Sequence, residues 1–82
     1  MSDVVFGVDV AKGWIDSFGP DGARRVAVSE LDGFALHVAR LGGRVVFEAS
    51  GGVEAPLRRA LAGAGVVAHR VNPARARSFA RS

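Results

Sequence analysis

The chain contains no cysteine. That removes disulfides and thiolate metal sites, and fits a reducing compartment. It has no apolar run near the roughly 20 residues that span a bilayer, and its N-terminus lacks the basic segment of a secretory signal. A soluble, cytoplasmic chain is therefore expected. The remaining shortage is local, because no acid follows Glu54. Residues 1–54 hold all eight acids and five bases, a net −3, whereas residues 55–82 hold six arginines and no acid, a net +6. Such a stretch is an electrostatic footprint for phosphate backbones. Its plain alternative is a solvated basic surface in which arginine replaces lysine.

What the sequence has in quantity is small and branched apolar residues. Hydrophobic residues make up 49% of the 82, mostly Val, Ala and Leu, so the chain is not of disordered composition. The length allows one small domain, marginally stable by itself. The most informative position is Asp9, set in the strand-like run Val4-Val5-Phe6-Gly7-Val8-Asp9-Val10. A carboxylate between valines is costly to desolvate, so it calls for a cation, a hydrogen-bond network or a metal. Val45-Val46-Phe47 runs into Glu48 in the same way. Two apolar strands that each deliver a carboxylate suggest half of a metal site.

Periodicity organises the rest. Val4 to Val10 is apolar on both faces, as in a central strand. Trp14 to Phe18 reads as a second strand, Gly19-Pro20-Asp21-Gly22 as a turn, and Arg24 to Val28 as the returning third strand. Ser29 is a candidate N-cap for a helix whose apolar stripe is Leu31, Phe34, Val38 and Leu41, ended by Gly42-Gly43. Arg44 to Glu48 is a fourth strand. A second helix follows Ser50-Gly51-Gly52, with Pro56 in its first turn and Val53, Leu57, Leu61 and Ala64 on its buried face. Val66 to Val71 is a fifth strand, and Asn72-Pro73 starts an Arg-rich helix. The expected fold is α/β, a ribonuclease H-like (RuvC-like) mixed sheet in the order βββαβαβ plus the start of a C-terminal helix. In that topology the first and fourth strands are parallel neighbours, which brings Asp9 opposite Glu48. The ending, with no completed last helix, reads as the front of a longer protein.

Four segments in this order, FGVDVAKGWIDSF, FEASGGVEAPLRRAL, AGVVAHRVNP and ARARSFARS, resemble the N-terminal catalytic domain of insertion-sequence-110-type transposases, the Piv/MooV-like DNA recombinases with a RuvC-like DEDD site. The resemblance covers essentially the whole chain. It implies divalent-metal-dependent phosphodiester cleavage and strand transfer, with Mg2+ as the ion and Mn2+ able to replace it. Asp9 matches the family's first acid and Glu48 its second. The third and fourth belong to an Asp-x-x-Asp motif after the Phe-Ala-Arg segment, which these 82 residues do not reach. DNA, a guide RNA and a bacterial cytoplasmic setting are implied in the same way, and a homo-oligomer is open. With two of four acids, the chain is expected to be inactive alone.

Other residues are weighed against simpler roles. Lys12 is a candidate phosphate contact near the site. Arg75, Arg77 and Arg81 form the candidate nucleic-acid set, with Arg77 and Arg81 on one helical face. Glu54 is read as favouring the positive end of the second helix, and Asp16 as a solvated strand residue. Ser50 has no His/Asp arrangement beside it and is read as a cap, not a nucleophile. His37 falls beside the apolar stripe of the first helix and His69 in a buried-looking strand; neither has ligand spacing, so both are read as structural. Trp14 is read as a core or lid residue rather than a base-stacking platform. Two alternatives stay open. One is a non-catalytic fragment that dimerises and binds nucleic acid. The other is a sugar-kinase or actin-like ATPase fold, although Val10-Ala11-Lys12 stands where that class carries a phosphate-binding Gly and Thr/Ser.

Overall fold

The computed structural model describes residues 4–48 and 53–71. Its strands are β1 (Val5–Val10), β2 (Trp14–Gly19), β3 (Gly22–Ala27), β4 (Arg44–Glu48) and β5 (Ala68–Val71); its helices are α1 (Leu31–Arg40) and α2 (Ala55–Gly63). The strands form one mixed sheet in the order β3-β2-β1-β4-β5. β1, β2 and β3 are an antiparallel meander, while β1–β4 and β4–β5 are parallel. The described residues thus form an α/β arrangement of one five-stranded mixed sheet and two α-helices. No helix among the described residues is long and apolar enough to cross a membrane.

Strand alternation decides which side chains meet the helices. Phe6, Val8, Ile15, Val26, Val45 and Phe47 share one face and are buried together with Leu31, Phe34, Ala35 and Val38 of α1 and Leu57, Ala60 and Leu61 of α2. Both helices therefore pack on that face. Phe6 is central: its ring meets Phe34 edge-on at 5.9 Å and His37 at 6.0 Å. The opposite alternation set puts Val5, Gly7, Asp9, Trp14, Asp16, Arg25, Arg44, Val46 and Glu48 on the other face.

Local chemistry sets the ends of these elements. The β2–β3 turn is Pro20-Asp21, and Gly22 closes it at φ +96°. Both helices end in Schellman motifs. Gly42 donates to Ala39 O and Gly43 to Val38 O, while Gly65 donates to Ala62 O and Val66 to Leu61 O. Pro56 lies in the first turn of α2, where its missing N–H has no intrahelical acceptor to lose.

Three expectations need correction. Ser29 does not cap α1: a 3-10 turn at Val28–Glu30 intervenes, and Glu30 holds the cap position without a side-chain hydrogen bond. Leu41 is 44% exposed, because the chain has already turned off the helix, and Ala35 completes the buried stripe instead. His69 is exposed, since β5 is an edge strand rather than a covered one.

Candidate metal centre and nucleic-acid interface

Asp9 is the penultimate residue of β1 and Glu48 the last of β4, and the two are register partners across this parallel pair. Register partners share a face, and neighbouring strands lie about 4.8 Å apart. Two half-buried carboxylates thus stand side by side where both strands end. The neighbours explain why they are half-buried rather than solvated. Val8, one residue before Asp9, and Phe47, one before Glu48, are fully buried on the helix side and anchor both strand ends.

Asp16 joins the same row. It is the register partner of Asp9 on the other side, across β1 and β2. Its carboxylate is held by Arg25 of β3, which donates from Nε to Oδ1 at 2.9 Å and from Nη2 to Oδ2 at 3.2 Å. The hydrogen bond from Arg25 to Asp16 raises the guanidinium further above its ordinary value. The same guanidinium lies 4.6 Å from the centroid of the Trp14 ring. Trp14 is 40% exposed on this face, so it is not a core residue. The row across four strands reads Arg25, Asp16, Asp9, Glu48.

Lys12 is exposed in the turn from β1 to β2, at the end of the sheet where Asp9 lies. That turn is closed by the Ala11 N–H donating to Trp14 O at 2.9 Å. Arg58, in the first turns of α2, holds its guanidinium 5.6 Å from the Phe47 ring, next to Glu48 in sequence. Arg75, Arg77 and Arg81 lie outside the described residues, as do Ser50 and Phe79. His37 takes a structural position, its Nε2 3.1 Å from Asp21 Oδ2, so it ties α1 to the β2–β3 turn.

Glu54 takes the helix-end position expected of it, but buried. It occupies the N-cap position of α2 with only 9% of its surface exposed, and its Oε1 has no hydrogen-bond partner among the described residues. The residues themselves gave little warning, because a Glu before Ala-Pro reads as an ordinary first-turn acid.

No family model matches the chain, and no curated protein matches it. Its chemistry therefore rests on its own residues. Among the described residues, no three or more His, Cys, Asp or Glu are grouped so as to hold a metal ion. What the sheet brings together is a pair of hard oxygen donors, which suits Mg2+ or Mn2+ better than a soft-ligand metal. A cleft of about 580 Å3 opens at the opposite end of the sheet around Val4, Gly43, Arg44, Gly65, Val67 and His69. No carboxylate lines it among the described residues.

Proposed function

We propose that this chain carries the first two carboxylates of a divalent-metal-dependent DNA transposase or recombinase of ribonuclease H-like (RuvC-like) fold. The observation that carries the reading is the pairing of Asp9 with Glu48 at the ends of adjacent parallel strands. The sheet order supports it: an antiparallel meander joined through its first strand to a parallel pair is what the resemblance to insertion-sequence-110-type transposases implies. The four matching segments supply the rest, including DNA as substrate and a guide RNA as partner.

Asp9 and Glu48 would hold the ion, leaving the rest of its shell to water. When bound, Mg2+ would activate the attacking oxygen and stabilise the leaving one during phosphodiester displacement. The protein's own part is to fix two carboxylates on strand ends whose neighbours, Val8 and Phe47, are immobilised in the core. Lys12 stands at the same end to meet a phosphate.

Two carboxylates hold such an ion weakly, so the test is direct binding rather than catalysis. Titration of the 82-residue protein with Mn2+, followed by electron paramagnetic resonance, should show weak binding that Asp9→Asn and Glu48→Gln each abolish. Binding unaffected by both substitutions would remove the basis of the proposal. Salt-dependent DNA binding with no Mn2+ binding would favour the non-catalytic reading instead.

A further inference from the structure

Trp14 is the largest apolar side chain of the protein, yet it lies on the face away from the helices and is 40% exposed. Its ring is not loose. The Arg25 guanidinium lies 4.6 Å from its centroid and is itself fixed by two hydrogen bonds to Asp16. A guanidinium has five N–H donors, and Asp16 takes two of them. The side chain of Arg25 is 63% exposed, so the remaining donors can reach an incoming group. The result is a rigid assembly of one aromatic plane and one cationic plane whose rotamer freedom is already restricted.

Its location gives that assembly a meaning. Arg25 is on the same cross-strand row as Asp9, two strands away, a distance of roughly 10 Å. A nucleic-acid strand advances about 3.4 Å per nucleotide when stacked and further when extended, so this gap spans about two or three nucleotides. Flat aromatic and guanidinium faces are what unpaired bases stack on, because every base presents a π-face. Lys12, exposed in the turn just before Trp14, is a further cation at this end of the sheet.

We infer that Trp14 and Arg25 form a stacking shelf for an unpaired base of the nucleic-acid strand whose phosphate a divalent ion on Asp9 and Glu48 would hold. The partner is a single strand rather than a closed duplex, whose bases offer no free face. The strand's reacting phosphate rests on the proposed role of the two carboxylates; the shelf itself rests on Trp14, Arg25 and Asp16.

The chain has one Trp and no Tyr, so its intrinsic fluorescence reports this position alone. Titration of the 82-residue protein with octathymidylate in EDTA should quench and shift the emission. An abasic octamer of equal charge should leave it near its starting value. Anisotropy of labelled octathymidylate should show binding about tenfold weaker for Trp14→Ala, the size of one lost stack. Arg25→Lys keeps the charge but loses the plane, and should weaken binding severalfold. Circular dichroism of both variants checks that the fold is retained. Equal quenching by the abasic octamer, by a duplex of the same length, or unchanged affinity in Trp14→Ala would overturn the shelf. Because these measurements contain no metal, they separate the two proposals. Base-dependent quenching with no Mn2+ binding defeats the transposase reading and keeps the shelf; the reverse defeats the shelf alone.

Discussion

Asp9 and Asp16 stand directly opposite one another across β1 and β2. Like charges at that position repel and destabilise a sheet. Arg25 answers the repulsion by binding both oxygens of Asp16 from the next strand. Arg25→Ala is therefore expected to lower the urea midpoint, and more so at low than at high salt. Asp16→Asn in the same background should restore the midpoint. The raised guanidinium sets the pH window: a basic group lifted in the folded state stabilises it fully at every pH below its unfolded value. The contribution of the arginine is then complete at neutral pH and lost only in strong alkali.

Asp9 and Glu48 add a second repulsion, on the other side of β1. Millimolar Mn2+ should relieve it, raising the urea midpoint of the parent and leaving that of Asp9→Asn unchanged. Urea titrations with and without the ion check this.

Glu54→Gln is expected to raise stability by about 1 kcal/mol. Burial of the carboxylate opposes its charge, and a helix N-terminus returns only about 0.3–1 kcal/mol of that cost. The urea midpoint is the measurement, and a fall in stability would show that the charge is held by a stronger contact than the helix end.

Phe6 and Gly19 are packed so closely that a Cβ on Gly19 would stand 2.6 Å from Phe6 Cε2. Gly19→Ala should cost about 1–3 kcal/mol through overpacking. Phe6→Leu alone should also destabilise, yet the two together should cost less than their sum. A double-mutant cycle by urea denaturation reads that coupling.

The framework of the chain was legible in its residues because it is written in strong signals. The unbroken apolar run before Asp9, the Gly19-Pro20-Asp21-Gly22 turn and the two glycine-ended helices each fix an element by local chemistry. The β1–β4 pairing, with Asp9 opposite Glu48, followed from element order. What could not be read depended on tertiary placement. His69 sits in a segment as apolar as a central strand, yet β5 lies at the edge. Trp14 has the composition of a core residue, but a one-residue phase of the strand turns it to the open face. The burial of Glu54 has no sequence signature at all, and the register that sets Asp16 beside Asp9 depends on the length of the Ala11–Gly13 turn.

Parallel β1, β4 and β5 oblige both helices to run back against the strands, so α1 and α2 begin at one end of the sheet and finish at the other. Their dipoles consequently add instead of cancelling. The molecule has a polarity along the strand direction: amide-bearing starts gather near the two acidic strand tips, and carbonyl-bearing finishes gather around Gly42 and Gly65. The two helix starts together supply roughly one positive charge, which offsets only part of the charge of Asp9 and Glu48 and leaves the remainder to a bound cation.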